Sequence, residues 1–350
     1  MSNSVSNFTT TLNASSRDAR VDWLRGLAAL LILSHHLFAP IIWSAHRSLA
    51  LLSDLAGWAW LGVPIFFVLS GRCVGATWLR SASAPEFARR RARRIFPPYF
   101  ASLAVCLGVV LIRKIAIGSN DVAPLPASLP AIFATLTLAT VPVTAVPAIN
   151  WVYWSLSYEV AFYAVLSLLI FFPGNRARVW LGAHALLCAL DVAGVARPGT
   201  PGFFLDQWPL FGLGLGLAFR AAGRTEARVS FVISALHLTA LAGLGRIGAI
   251  HLVGLGTAAL LILPAARWRP GGDDVLPRIG EISYSLYLIH VPIGIHLILL
   301  PAYRFFGPGA GGLYLALGLG AVGSLVAGLL FHRWAERPWL STALQLPAPP

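Results

Sequence analysis

An arginine and a histidine eleven residues apart on one apolar segment form the first candidate site in this chain. Between Arg25 and His36 the sequence is apolar or small except for Ser34 and His35. On a helix, eleven steps of about 100° bring the two side chains to within about 20° of one another. The rise separates them by about 16 Å, half of a hydrocarbon core of about 30 Å. This arrangement suits an anionic ligand that is held at one membrane face while its reactive end reaches a base near the midplane.

Two further ionisable residues fall deep within predicted apolar helices. At about 1.5 Å per residue, Glu159 lies about 10 Å from the outer start of its helix, and His290 about 13 Å from the inner start of its own. Charge inside a bilayer is costly and is usually functional, so we predict that His36, Glu159 and His290 are catalytic. His35 points about 80–100° away from His36 and is expected to hydrogen-bond a neighbour. The remaining histidines in apolar segments are interpreted as structural: His184, His237, His251 and His296.

A basic run, Arg89-Arg-Arg-Ala-Arg-Arg94, precedes the third predicted span. Such a run is typical of a stop-transfer signal or of contacts with anionic lipid. It is equally typical of a phosphate clamp, because guanidinium forks match phosphate oxygens. Arg72, about one turn inside the second span, either snorkels to the interface or lines the same anion site. The sequence leaves both choices open.

Two helix starts combine hydroxyl and aromatic side chains. One begins Trp154-Ser-Leu-Ser-Tyr-Glu159, and its tryptophan is also typical of an interfacial aromatic belt. In the other, Ser283, Tyr287 and His290 recur at i, i+4 and i+7, which makes a polar stripe that must face the bundle interior. We therefore predict supporting roles for six residues: Ser70, Trp154, Ser157, Ser283, Tyr284 and Tyr287.

Composition places the chain among membrane proteins. Its 350 residues are 57% hydrophobic and 11% charged, whereas a soluble domain carries about 25% charged residues. The net charge of +13 does not indicate a nucleic-acid partner, because basic residues are expected at the ends of membrane helices. Three cysteines in apolar segments show no metal-ligand spacing, so we expect packed thiols and no metal site.

The predicted fold is an all-α, polytopic helical bundle of about ten transmembrane helices. The predicted spans are 24–44, 57–77, 96–114, 152–172, 179–194, 203–219, 229–245, 249–265, 281–301 and 311–331. The Pro-rich stretch 115–150 is placed outside the membrane or as a re-entrant element. Residues 1–16 are expected to be a disordered tail, 17–340 one membrane domain, and 341–350 a C-terminal tail.

The distribution of basic residues predicts that both termini are cytoplasmic. With ten spans, 19 of the 26 basic residues fall on the inner side and 6 on the outer side, while Arg72 lies within a span. This bias follows the positive-inside rule. We expect no cleavable signal peptide, because the early arginines precede a full-length apolar span.

The motifs resemble those of the membrane-bound acyltransferase-3 family, whose bacterial members O-acylate carbohydrates of the cell envelope. Arg25 to His36 resembles the family's signature of arginine, ten residues and histidine. The resemblance continues over nearly the whole chain in four blocks: 62–71, 90–97, 154–159 and 282–290. There are three departures: Arg72 stands where relatives usually carry an apolar residue, Val160 replaces a frequent second acid, and no hydrolase-like domain is appended.

The resemblance implies a cytoplasmic acyl-CoA, most simply acetyl-CoA, as donor substrate rather than as a bound cofactor. Its phosphates are expected to contact four guanidinium groups: Arg25, Arg72, Arg91 and Arg94. His36 would act as general base on the acceptor hydroxyl, with Glu159 and His290 orienting the acceptor or polarising His36. A covalent acyl-His36 intermediate is the alternative.

The implied enzyme is an O-acetyltransferase of the bacterial inner membrane, in contact with membrane lipid. Its acceptor is a carbohydrate or glycolipid, and the sequence does not choose among lipopolysaccharide sugar, exopolysaccharide, peptidoglycan and a small glycosylated metabolite. A homo-oligomer is compatible with this prediction. The alternative function is a proton-coupled transporter or flippase of a glycan or small solute, because midplane glutamate and histidine also form proton relays. A transporter should show inverted repeats or paired broken helices, and the sequence indicates neither.

Overall fold

The computed structural model describes residues 18–38, 50–118, 123–172, 175–263, 268, 270–271, 274–307 and 309–344. Within these residues the regular structure is entirely helical. The α-helices are α1 (Ala19–Leu37), α2 (Ala50–Trp58), α3 (Gly62–Arg80), α4 (Ala84–Ile117), α5 (Leu129–Leu136), α6 (Trp154–Ile170), α7 (Arg176–Val192), α8 (Trp208–Ala221), α9 (Glu226–Gly243), α10 (Ala249–Ile262), α11 (Val275–Glu281), α12 (Ser283–Ile289), α13 (Leu300–Phe306), α14 (Ala310–Phe331) and α15 (Arg337–Leu344). Two π-helical segments, His290–Leu299 and His332–Glu336, connect α12 to α13 and α14 to α15.

Each of the ten predicted spans overlaps a helix, which supports a multi-pass membrane protein. Five helices in the described residues are long and apolar enough to cross a membrane: Leu51–Arg80, Ala84–Ala116, Trp151–Ile170, Ser283–Phe306 and Ala310–Leu340. The other helices are shorter or more polar. The count of ten spans and the cytoplasmic termini therefore stay predictions. The predicted tail 1–16 lies outside the described residues, while residues 341–344 of the predicted C-terminal tail continue α15.

Helix ends differ from the predicted spans where a capping residue decides them. Asp18 caps α1 by accepting a hydrogen bond from the backbone N–H of Arg20 at 3.2 Å, so α1 begins well before the predicted residue 24 and ends at Leu37. Ser83 caps α4, with a proline in the first turn and Glu86 in the same turn, a favourable N-terminal sequence. The helix therefore begins before the predicted span, which started at residue 96, and the basic run 89–94 is helical.

Glycines let two pairs of helices approach to backbone contact. In the α1–α11 crossing these are Gly26 and Gly280, and in the α3–α8 crossing Gly71 and Gly214. A Cβ built on any of the four would lie 2.0 to 2.3 Å from a carbonyl oxygen of the opposite helix. Small residues that allow close approach are typical of membrane helix interfaces. These crossings fix the rotation of α1 and α3, which carry Arg25 and Ser70.

The chain between α4 and α6 folds against the bundle. The hydroxyl of Tyr99 donates to the carbonyl of Thr135 at 2.6 Å, and the hydroxyl of Ser157 donates to the carbonyl of Leu138 at 2.7 Å. The short helix α5 is therefore tied to both α4 and α6. Aromatic packing holds the adjacent core, where the rings of Phe162 and Phe211 stack with centroids 4.6 Å apart.

Candidate active site

Two connected cavities follow the line from Arg25 towards His36. The narrow cavity, of about 860 Å³, extends along α1 from Arg25 to Ile32 and is lined by α3, α4, α6 and α12. The basic vestibule, an open cavity of about 2350 Å³, lies at the end of the bundle that the charge distribution predicts to be cytoplasmic. Both cavities are lined by Arg25, Arg91 and Arg94. These three arginines therefore form the junction between a wide entrance and a narrow channel.

His36 and His290 are in direct contact, as their predicted depth suggested. The Nδ1 atom of His36 lies 2.6 Å from Nε2 of His290, and the rings are nearly parallel with centroids 4.9 Å apart. Trp151 packs its edge against His36 with a centroid distance of 4.5 Å. His35 turns away, with its Nδ1 atom 2.9 Å from the carbonyl of Ala56, as expected. The pair lies one helical turn beyond Ile32, where the lining of the narrow cavity on α1 ends.

The carbonyls around His290 determine the tautomer of both rings. Its Nδ1 atom lies 3.0 Å from the carbonyl oxygen of Leu286 and 2.9 Å from that of Tyr287. A carbonyl only accepts, so this nitrogen carries the proton. With both rings neutral, Nε2 of His290 accepts a hydrogen bond from Nδ1–H of His36. The lone pair of His36 is then on Nε2, which suits that nitrogen to act as a base.

Glu159 lines the narrow cavity but does not pair with a histidine. Its carboxylate accepts a short hydrogen bond from the hydroxyl of Ser70, and it forms no hydrogen bond or ion pair with His36 or His290. No contact in the described residues therefore supports polarisation of His36 by Glu159, and its other expected role, orientation of the acceptor, stays a prediction. The cations that share its cavity are instead the three junction arginines. Similar depth did not imply contact because Glu159 faces Ser70 of α3.

The junction arginines are held in different ways. Arg94 forms an ion pair with Glu336, which is fully buried, and lies 5.4 Å from the ring centroid of Tyr284. Arg91 donates to the hydroxyl of Thr77 at 3.2 Å. Arg25 forms no hydrogen bond or ion pair with any described residue, although Cys73, Asp22 and Glu336 influence it electrostatically. At the junction, an anion would therefore meet two anchored guanidinium groups and one, Arg25, that forms no hydrogen bond with a described residue.

Arg72 is separated from the other predicted donor-binding residues. It forms an ion pair with Asp18 at 2.7 Å and lines neither cavity. Burial raises the pKa of Asp18, but hydrogen bonds and charge from Arg20 and Arg72 outweigh it and hold that pKa below its usual value. Arg72 therefore ties α3 to the start of α1, and the expectation that it lines the donor site was wrong.

The predicted supporting residues fall into two groups. Ser70, Ser283, Tyr284 and Tyr287 line the narrow cavity, and the hydroxyl of Ser283 is buried there without a hydrogen-bond partner in the described residues. Two others lie elsewhere: the ring of Trp154 packs edge-on against Tyr158 in the core, and Ser157 holds the loop at Leu138. From the same helix start, Ser155 lines the narrow cavity instead. It lies one turn before Glu159, and its hydroxyl is hydrogen-bonded to that of Tyr287 at 2.7 Å.

The geometry agrees with a comparison of the sequence with family models. The acyltransferase-3 model, described as an acyltransferase domain, matches residues 18–333. The chain belongs to this family. Searches of curated proteins and of solved structures returned no match. Membership of the acyltransferase family accounts for the motifs at Arg25–His36 and Ile282–His290, which the fold brings together at one site.

Three site residues of this acyltransferase domain were missed by reasoning from the sequence. Tyr163 follows Glu159 by one turn and lines the narrow cavity, a spacing that could have indicated it. Cys73 lines the same cavity and is exposed, contrary to the expected packed thiol, whereas Cys106 and Cys188 are buried. Glu336 lies beyond the family match, and two of its partners, Arg94 and Ser285, are distant in sequence, so the sequence did not indicate it.

Proposed function

We propose that this protein transfers an acyl group, acetyl in the simplest case, from cytoplasmic acyl-CoA to a hydroxyl of a cell-envelope or exported carbohydrate. The proposal extends acyltransferase membership to a donor, an acceptor class and a bacterial inner membrane. The observation that carries it is the junction of the two cavities at Arg25, Arg91 and Arg94. An anion bound there would place an attached thioester arm at the mouth of the narrow cavity.

The length of the pantetheine arm of the donor matches the separation of Arg25 and His36. Arg25 and His36 are about 16 Å apart along α1, at about 1.5 Å per residue. An extended pantetheine arm has a comparable length, so a diphosphate at the junction delivers the thioester near the histidine pair. The narrow cavity offers hydroxyl groups to the arm's two amides, among them the unpartnered hydroxyl of Ser283.

In the proposed reaction, Nε2 of His36 takes the proton of the acceptor hydroxyl as its oxygen attacks the thioester carbonyl. The new C–O bond forms, the C–S bond breaks, and the proton on His36 passes to the departing CoA thiolate. His290 stabilises the transient imidazolium by accepting the hydrogen bond from Nδ1–H of His36. Glu159 acts from the narrow cavity, on the acceptor or on the junction charges, rather than directly on His36.

Transfer is tested with the full chain in proteoliposomes, radiolabelled acetyl-CoA and a glycan fraction of the cell envelope. We expect label to enter base-labile esters of the glycan and to depend on His36. Absence of ester label in every glycan fraction, together with unchanged ester content in a deletion strain, would contradict acyl transfer. Continued movement of unmodified glycan by His36→Ala would favour the flippase alternative.

Donor binding is tested separately through Cys73, the one exposed cysteine of three in this chain. Because Cys73 lines the narrow cavity beside the junction arginines, acetyl-CoA should protect it from alkylation by N-ethylmaleimide. Arg25→Lys should raise the acetyl-CoA concentration for half-protection, because lysine offers a point charge in place of a fork. Undiminished alkylation at saturating acetyl-CoA would place the donor elsewhere.

A further inference from the structure

The basic vestibule contains further cations beyond the three junction arginines, and we call these the outer tier. Five more guanidinium groups line it: Arg80, Arg90, Arg278, Arg333 and Arg337. One carboxylate, Glu281, is among its lining residues. Arg90 is already paired with Glu86 at 2.7 Å. Together with the junction arginines, these groups place eight guanidinium groups around one cavity, more than a single diphosphate requires.

An aromatic side chain accompanies this outer tier. Trp339 lines the vestibule and its side chain remains 47% exposed. It lies two residues after Arg337 on α15, whose side chain is also exposed. Residues two apart on a helix do not share a face, but both of these side chains line the vestibule. An exposed indole and a guanidinium in one open cavity are suited to stack on a nucleobase and to bind a phosphate.

The end of α15 that carries these residues is anchored to the junction. Glu336 accepts hydrogen bonds from Ser285 at 2.6 Å and from His332 at 2.9 Å, in addition to its ion pair with Arg94. Because Arg337 directly follows this buried carboxylate, the start of α15 is held in a fixed position relative to Arg94 at the junction.

We propose that the outer tier is a subsite for the 3′-phosphoadenosine part of the donor, with Arg337 and Arg278 at the 3′-phosphate and Trp339 against the adenine. This inference rests on the proposed use of acyl-CoA. The order of groups in that molecule is arm, diphosphate, then phosphorylated adenosine. The order of surfaces in the protein is narrow cavity, junction arginines, then outer tier with its indole.

The same basic run also supplies a matched control. Arg90, Arg91 and Arg94 line the vestibule, whereas Arg89 and Arg93 line neither cavity. This division follows helix geometry, because positions 90, 91 and 94 share one face of α4. Arg89→Ala thus removes a charge from the same helix turn without touching the proposed subsite.

The experiment compares acetyl-CoA with acetyl-dephospho-CoA, which lacks only the 3′-phosphate. Protection of Cys73 from N-ethylmaleimide is measured on the full chain in vesicles of phosphatidylcholine alone. Wild-type protein should need roughly tenfold more of the dephospho donor, the effect expected for one lost hydrogen-bonded charge pair. Arg337→Ala should remove this difference because it weakens the binding of acetyl-CoA but not that of acetyl-dephospho-CoA. Arg89→Ala should keep the difference. Trp339→Ala should weaken the binding of both donors, and Trp339→Phe should bind both as wild type does.

The outcomes separate this subsite from the proposed function. Equal protection by both donors in wild type would overturn the 3′-phosphate subsite and leave acyl-CoA binding intact. If the preference for acetyl-CoA over acetyl-dephospho-CoA persists in both Arg337→Ala and Arg278→Ala, the assignment of these two residues to the 3′-phosphate is wrong. An Arg337→Ala effect that occurs only when phosphatidylglycerol is added would identify a lipid headgroup as the ligand. Failure of both donors to protect Cys73 would contradict the proposed function itself.

Discussion

The hydrogen-bond donors and acceptors around His36 restrict its chemistry to one nitrogen. Two backbone carbonyls fix the proton on Nδ1 of His290, so its other nitrogen accepts the hydrogen bond from Nδ1–H of His36. The contact thus acts like the carboxylate partner of other catalytic histidines in orienting the ring, but it adds no charge. A base held this way depends on exclusion of water and on correct placement.

Replacement of His36 by alanine should lower acyl transfer by at least about 100-fold, because positioned general bases contribute about 10²–10⁴-fold. The yield of folded protein should change little, since the side chain lies in the last turn of α1. His35→Ala is the matched control and should keep most activity. Ester formation and size-exclusion profiles check both. A His35 variant that is the more damaged of the two would contradict the orientation found here.

Replacement of Glu159 by glutamine should lower turnover by roughly tenfold or more, while the amide oxygen still accepts the hydrogen bond from Ser70. The physical reason is loss of the one carboxylate among the described residues that line the narrow cavity, which three arginines also line. Turnover and the acetyl-CoA concentration for half-protection of Cys73 are measured together. Ser70→Ala serves as the comparison, since it removes the hydrogen bond and keeps the charge. Full turnover in Glu159→Gln would show that the carboxylate has a structural role.

At the scale of helices, both π-helical segments occur at the site. One begins at His290 and the other ends at Glu336. Such departures from α-geometry are frequent at functional sites, because one extra residue per turn changes which side chains share a face. Here they bring His290 against His36 and Glu336 against Arg94.

The α3–α8 crossing should be sensitive to a single methyl group. A Cβ on Gly71 would lie 2.3 Å from the carbonyl oxygen of Phe211, whereas one on Gly108 in α4 would meet nothing within 4 Å. We expect Gly71→Ala to lower stability by about 1–3 kcal/mol, a typical overpacking cost. Gly108→Ala should be neutral or stabilising by up to ~1 kcal/mol. Thermal unfolding in detergent measures both, and equal midpoints would contradict the backbone contact.

At the scale of the whole molecule, charge distribution and cavity position agree. All eight arginines that line the vestibule belong to segments that the positive-inside rule places on the cytoplasmic side. They come from segments that are far apart in the chain, before residue 95 and after residue 277. Their convergence at one end of the bundle agrees with the proposed entry of the donor from that side.

Reporter fusions test this orientation. A fusion after Pro350 and one between α3 and α4, at residues 81–83, should be cytoplasmic. Insertions within 123–150 and at 307–309 should be outside. Paired phosphatase and fluorescent-protein activities distinguish the two compartments. An external C-terminus would require an odd number of spans and would contradict the predicted count.

The sequence by itself determined the helical class, the membrane setting, the family and the pairing of Arg25 with His36 on one face. These follow from local periodicity, because rise and rotation per residue are nearly constant along a helix. Depth along the axis could be predicted for the same reason, and it correctly indicated that His36 and His290 lie at one level.

Tertiary structure decided which of the residues at the same depth along the helices are in contact. Glu159 bonds Ser70 rather than a histidine, Arg72 pairs with Asp18 and lines neither cavity, and Glu336 pairs with Arg94, which is distant in sequence. These contacts depend on how each helix is rotated against its neighbours. That rotation is set by close approaches such as Gly71 against Gly214, between residues far apart in sequence. The spacing of residues along one helix does not indicate which other helix packs against it.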